Sequence, residues 1–489
     1  MVTADVIDNQ IKKIRYFLPD ELVAEDDARE RLQLLAKLPD VVGLAALPDL
    51  HVKEENPFPT GTALVTKNTL YPFGVGKRIG CGMRLVKTSL NANELPSDFI
   101  DNFFVHFKSF LPDLDESRVP KIQNTELYDL LYDGQKWAAQ HFDRHPDECK
   151  HTENQGSFFK GTDYEKSDIK KYVPSDAIKG GIRKFAYLGA VGNHFFELQK
   201  VDDTLNPEIA QKFGVFPGQL VFMIHCDSGA FSKRCGIYYN KKSGEKGVGQ
   251  KLKHMSRKMG FHFSDFRFRE YNARWNAFFN NSMLSGISAS SEAAHRYAII
   301  AYAAANYCIV NRTAITHFVE QSLRKAADEK NIETRLLYDV SHETIKKEQI
   351  NGESFWIHRN GASAAWPASQ FKSDSIFAQT GQPLLMPGAM GQDSYICAAQ
   401  ENVKSSWCSV NHGAGRKMKK ARAKELFTEA GVKEKLNQRK IKLYKLFSKD
   451  LVTQGPDSYK DINSIISNVE GFGLAKPVAR LTPLAVLKG

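Results

Sequence analysis

Residues 409–420 read SVNHGAGRKMKK: His412 is followed by Gly413, Ala414 and Gly415, and then by Arg416, Lys417, Lys419 and Lys420. A neutral imidazole is nucleophilic near pH 7. Glycines bring no Cβ, so the backbone N–H groups of such a turn stay open to close approach by a phosphate. The cations that follow supply charge to hold it. The turn LLMPGAMGQDSYI, residues 384–396, has the same character. Taken with a candidate metal site and the basic charge carried elsewhere in the chain, these turns point to phosphoryl or nucleotidyl transfer.

The 489-residue chain is long enough for a large core, and its length alone allows about two or three domains. Its 67 Lys+Arg against 56 Asp+Glu give +11, a surplus that favours a polyanionic partner such as nucleic acid. No run of about 18 apolar residues is present, so no membrane span is expected. The opening MVTADVIDNQIKKIRYFLPDEL lacks the apolar core of a signal peptide, and the expected compartment is the cytoplasm. Seven cysteines, with no CxxC pair among them, argue against a disulfide framework and an ordinary zinc ribbon.

Residues 21–40 read as helix, followed by the glycine- and proline-rich segment LPDLHVKEENPFPTGTALV. YPFGVGKRIGCGMRLVKTSL is a glycine-rich turn running into a strand, and residues around 124–141 read as helical. Residues 142–178 are polar without periodicity, which predicts a surface insertion. GQLVFMIH and TRLLYDVSH read as buried strands, each ending in a histidine. Between them, residues 291–328 have the length and alanine content of a long buried helix. Residues 419–451 read as a basic helix pair broken at Gly431, more simply a solvated face than a nucleic-acid surface. No linker divides the chain, so residues 1–489 are expected to form a single catalytic unit.

Four residues stand at strand ends or in glycine-rich turns: Cys81 in RIGCGMR, His194 in AVGNHFFE, His225 in MIHCDSG and His342 in DVSHETI. One thiolate with three imidazoles suits a borderline divalent metal such as Zn or Mn with an open position. Taken singly, each histidine reads more readily as a satisfied core or surface residue than as a ligand. A second cluster, His141, His145, Cys149 and His151, has helical spacing for a structural zinc, but Pro146 and the polar context favour an irregular loop.

In order along the chain, PDLH, GVGKRIGCGMR, GNHFFE, MIHCDSG, HRNGASAAWP, QPLLMPGAMGQDSY, NHGAGR and VARLTPLAVLKG resemble the segments of the RtcB family of GTP-dependent RNA-splicing ligases. The resemblance covers roughly residues 40–489. It implies an α+β fold of RtcB type, with mixed β-sheets and strand ends converging on a metal site. It also implies GTP- and manganese-dependent joining of an RNA 3′-phosphate or 2′,3′-cyclic phosphate to a 5′-hydroxyl, as in RNA splicing or repair. By the resemblance, His412 attacks the α-phosphorus of GTP to give a guanylyl-histidine. Cys81, His194, His225 and His342 match the metal ligands. Asn193, His194, Glu197, Pro387, Gly388, Ala389, Met390, Ser394, His412, Gly413, Ala414, Gly415 and Lys488 match positions around the nucleotide. Asp49 either supports the centre or caps a turn. An activating protein is left open as a further partner.

The sequence departs from the family pattern mainly at metal and phosphate contacts. The family places a second-metal aspartate three residues before the metal cysteine; here the residue is Arg78, a fixed cation that cannot ligate a metal. Either one metal suffices, with Arg78 supplying part of the charge, or Asp227, Glu54 or Glu55 is recruited. The family's HxGSRG becomes His225-Cys-Asp-Ser-Gly-Ala, Glu343 replaces an asparagine, Asn360 and Ala364 replace a lysine and an arginine, and Ala389 replaces a serine. Two alternatives stay open: guanylylation or capping of RNA ends without ligation, and a non-catalytic RNA-binding protein.

Overall fold

The structure is a computed structural model and describes residues 13–19, 26–53, 56–75, 78–189, 193–227, 229–236, 248–263, 283–328, 331–446 and 451–488. It is an α+β fold of mixed sheets. The largest sheet runs in the order Pro383–Met386, Ser394–Ala399, Ala475–Lys488, Phe195–Thr204, Gln219–Cys226, Gly82–Asn91 and Thr334–Ser341. Lys442–Lys445 pairs parallel with Ala475–Lys488. Gln219–Cys226 is buried along its whole length, as its unbroken apolar run requires of a strand covered on both faces.

One face of this sheet is covered by the helix Glu292–Ala326, capped at its start by Ser291, whose Oγ accepts the Ala294 N–H. Alanines at 298, 301, 303, 304 and 305 are buried, which lets sheet and neighbouring helices approach closely. The helix also delivers a buried cation to the sheet edge. The Arg312 guanidinium bonds Asp339 at 2.6 Å and the carbonyls of Gly80 and Cys226 at 3.2 and 3.3 Å. These are the backbone groups beside Cys81 and His225, so the helix braces the turns that carry both side chains.

A second sheet holds Ile14–Tyr16, Val41–Lys53, Asn56–Thr66, Glu353–Asn360 and Glu343–Ile350. Its hairpin Val41–Lys53/Asn56–Thr66 falls in the stretch whose prolines and glycines gave no strand signal in the sequence. The register shifts between Ala46 and His51, and the irregularity accommodates Pro48 and presents Asp49.

Three sequence expectations need correction. Residues 142–178 carry Phe142, Phe158, Phe159, Ile169 and Val173 into the main core, and some of their polar residues serve buried partners. Glu148 takes Arg84 and Arg144, and Glu153 accepts the Ser341 N–H at 2.9 Å. Part of the polarity thus belongs to a buried charge network, while residues such as Asp147, Lys150, Lys166 and Lys171 are exposed. The basic tail breaks before Thr428, which caps Glu429–Gln438 through the Gly431 N–H, so Gly431 lies inside that helix. Lys442–Lys445, read as helix, is a strand because its edge pairing to Ala475–Lys488 outweighs local propensity. Among the described residues, no helix is long and apolar enough to cross a membrane.

Candidate active site

Sheet register brings the metal candidates to one edge. Gly82 pairs with both Cys226 and Ser341, and Phe195 pairs with His225. Cys81, His194, His225 and His342 therefore start or end adjacent strands, and the His342 N–H donates to the Cys81 carbonyl at 2.8 Å. The Cys81 Sγ lies 3.4 Å from His225 Nε2, which lies 3.3 Å from His342 Nε2. Ligand atoms of these three buried residues all fall within 4.8 Å of one another.

Burial, then the neighbouring imidazoles and cations, hold His225 and His342 well below the usual histidine pKa, so both keep a lone pair for coordination at neutral pH. Burial and the nearby Asp227 push the Cys81 thiol well up. Converging lone pairs around a buried sulfur are a donor set that fits a divalent cation, which would convert the thiol to thiolate. His194 stands beside this group. Its Nε2 is 3.7 Å from the Cys81 Sγ but accepts an N–H of Arg78 at 2.9 Å, and Asp227 Oδ2 lies 3.6 Å from both His194 Nε2 and Arg78 Nε.

His412 follows the short strand Ser409–Asn411, which pairs with Ala362–Ala364. The Ala362 N–H donates to the His342 carbonyl at 3.1 Å, hanging the histidine turn on the metal edge; the two rings stand 4.7 Å apart. The His412 Nδ1 lies 2.6 Å from Asp49 Oδ2 and 2.8 Å from the Gly361 carbonyl. Both partners accept, so Nδ1 carries the proton and Nε2 keeps the lone pair. Asp49 is thus an orienting carboxylate for His412.

Lys460, which the sequence reading missed, braces Asp49. Its buried Nζ donates to the Pro48 and Leu50 carbonyls at 3.0 and 2.7 Å, and its N–H donates to Gly415 at 3.0 Å. The glycines are required by contact. A Cβ on Gly415, at φ +67°, would lie 2.5 Å from the Asp49 carbonyl, and one on Gly413 2.6 Å from that of Pro387.

Two clefts meet at His412. The first is lined by Asn193, Glu197, Pro387, Gly388, Ala389, Met390, His412, Gly413, Ala414, Gly415 and Lys488, joined by Gln454 and Tyr459. Ser394 stands behind its wall: the Gln199 Nε2 donates to Ser394 Oγ at 3.0 Å and to Glu197 Oε2 at 2.8 Å. Burial raises the Glu197 carboxyl and lowers the Lys488 amine, each opposed by the other's charge. The second cleft is lined by His51, Lys53, Arg78, Cys81, His342, Glu343, Arg416, Lys419 and Lys420. Burial raises the Glu343 carboxyl to about 7, with Lys53 Nζ 3.7 Å away. Arg416 lies over the Tyr459 ring at 4.8 Å.

The remaining candidates separate. Glu54 and Glu55 lie outside the described residues. His141 stacks on Trp137, His145 Nδ1 accepts the Asp147 N–H, and the His151 Nδ1 donates to the Leu337 carbonyl. Among the described residues that second cluster forms no metal site.

A histidine oriented by a carboxylate, set between a glycine-lined cleft and a cation-lined one and beside a Cys/His/His donor set, makes this the candidate active site. The family model for tRNA-splicing ligase RtcB matches residues 31–489, and the chain belongs to that family. The chain is 30% identical to the tRNA-splicing ligase RtcB of Thermococcus kodakarensis, over 97% of this chain and 94% of that protein. It is 29% identical to those of Methanococcus maripaludis and Archaeoglobus fulgidus, over 96% of this chain in each case and 94% and 92% of theirs.

Proposed function

We propose that this protein is an RNA ligase that joins RNA 3′-phosphate or 2′,3′-cyclic phosphate ends to 5′-hydroxyl ends, with GTP as the energy source and manganese as the metal. The observation that carries the reading is the held tautomer of His412, with Nδ1 committed to Asp49 and Gly361 where the two clefts meet. The family membership and the names of the relatives supply RNA joining as the reaction class.

Nε2 attacks the α-phosphorus of GTP, a P–N bond forms, and pyrophosphate leaves. The imidazole then carries GMP and, with Nδ1 still protonated, a positive charge that Asp49 opposes. An oxygen of the RNA 3′-phosphate attacks the guanylyl phosphorus and His412 leaves, giving an RNA–guanylate anhydride. The 5′-hydroxyl attacks the 3′-phosphate phosphorus, GMP leaves, and the hydroxyl proton passes to solvent or a nearby base. A 2′,3′-cyclic end is first opened by water to the 3′-phosphate. The glycine-lined cleft takes the nucleotide, with Glu197 and Lys488 at its floor; the cation-lined cleft takes the RNA ends. Cys81, His225 and His342 would hold the metal, which when bound neutralises phosphate charge and favours the leaving group. The seven unpaired cysteines support a reducing compartment, the cytoplasm.

The test mixes purified protein with two RNA oligonucleotides, one ending in 3′-phosphate and one beginning with 5′-hydroxyl, with GTP and manganese. Joined product dependent on both supports ligation. Guanylylated RNA that accumulates without joining would replace ligation with capping. Binding without either product would leave an RNA-binding protein. Joining limited to a single turnover would call for a protein activator.

A further inference from the structure

We propose that the centre holds one metal ion on Cys81, His225 and His342, and that the Arg78 guanidinium beside it is the second positive charge, binding the terminal phosphate of the RNA. The inference rests on the reading of those three residues as a metal site. Three observations carry it.

The first is the lone pair of His194. A neutral imidazole has one acceptor nitrogen, and an Arg78 N–H points to Nε2 at 2.9 Å. A nitrogen that accepts this bond does not ligate a metal at the same time. His194 accordingly falls outside the group whose ligand atoms converge within 4.8 Å.

The second is the anchoring of Arg78. Buried Asp227 lies 3.6 Å from the guanidinium Nε, so the carboxylate holds Arg78 in place beside His194. A guanidinium stays charged at any working pH, and a fixed positive charge repels a second cation from the space beside Cys81.

The third is the direction in which the charge is offered. The Arg78 side chain is 35% exposed, and it lines the cation-rich cleft with Lys53, His412 and Lys419. It does not line the glycine-walled cleft assigned to the nucleotide. The phosphate it meets is therefore the RNA's. A planar guanidinium presents paired N–H donors whose spacing matches phosphate oxygens.

The test counts metal and measures end recognition. Manganese bound per chain at saturation is determined by elemental analysis after equilibrium dialysis, for the intact protein, His194→Gln and Cys81→Ser. The expected counts are one, one and none. Two ions in the intact protein, or loss of the ion in His194→Gln with the fold confirmed by circular dichroism, overturns the inference. A Cys81→Ser variant that keeps its full metal content contradicts the underlying metal reading instead. Separately, 3′-phosphate and 3′-hydroxyl RNA of one sequence are compared for binding. Arg78→Ala should shrink the preference for the phosphate end by about 10- to 100-fold, the range for a charge-assisted hydrogen bond. An unchanged preference overturns the assignment of Arg78 to the RNA phosphate.

Discussion

Two groups of cysteine and histidine occur in this chain, and the compact one is the inert one. His141, His145, Cys149 and His151 lie within a few turns of sequence, yet each of the three histidines is spent locally: one stacks on Trp137, one accepts a neighbouring N–H, and one donates to a strand carbonyl. Cys81, His225 and His342 are far apart in sequence and meet within 4.8 Å. What joins them is antiparallel register, in which Gly82 pairs with both Cys226 and Ser341. Proximity in sequence therefore counted for less than position at a strand end. Burial moves His151 and Cys149 in the same directions, but it acts further in the distant group, where it holds His225 and His342 neutral and the Cys81 thiol protonated until a cation arrives.

The most severe way to sharpen this contrast is paired substitution. Cys81→Ser should remove the metal and lower joining by at least about a thousand-fold, equivalent to ~4 kcal/mol of transition-state stabilisation. Cys149→Ser should leave metal content and rate unchanged. Equal effects of the two, read by elemental analysis and product formation, would break the comparison.

The same contrast has a proton signature. The folded apo-protein holds the Cys81 thiol protonated, and a metal requires thiolate, so binding should release about one proton per ion at pH 7 and tighten as pH rises. His225 and His342 add no further release there, because their lowered pKa values leave them already neutral. Calorimetry in buffers of different ionisation enthalpy reads the proton count; release of two or three protons would contradict the assigned protonation states.

Next in size is the support of the nucleophile. Asp49→Asn keeps the volume but removes the charge and offers a donor to Nδ1, and it should lower kcat by about 100- to 1,000-fold with little change in the KM for GTP. A change confined to KM would return Asp49 to a turn-capping role. The smallest effect expected is that of Lys460→Met, which leaves the Pro48 and Leu50 carbonyls without their buried donor. It should destabilise the fold by about 2 kcal/mol, seen as a lower denaturation midpoint, and slow turnover about ten-fold by loosening Asp49.

Much of the positioning scaffold was legible because it depends on long uniform runs. Residues 291–328 read as helix from length and alanine content, and Gln219–Cys226 and Thr334–Ser341 read as strands from unbroken apolar character. The histidines that close those strands were legible for the same reason. The hairpin that presents Asp49 was not, because Pro48, Pro57 and Pro59 mask a strand signal that the register irregularity tolerates. Lys460 was invisible for a different reason: its partners are backbone carbonyls more than 400 positions away, which leave no mark on composition. In the reverse direction, the polarity of residues 142–178 suggested solvent, whereas Glu148 and Glu153 are polar because they answer buried cations and strand ends. Most of the residues expected around a nucleotide line one cleft beside His412, whereas Ser394 stands behind Glu197 and His194 lies against Arg78.

The central claim is that His412 is the nucleophile that takes up the nucleotide. The most direct measurement incubates the metal-loaded protein with GTP labelled at the α-phosphate and examines the chain after denaturation. The account predicts a covalent label that is stable in alkali and released by acid, as a phosphoramidate is, and that is lost in His412→Ala. No label on a chain shown to bind both GTP and manganese, or an undiminished label on His412→Ala, would contradict it.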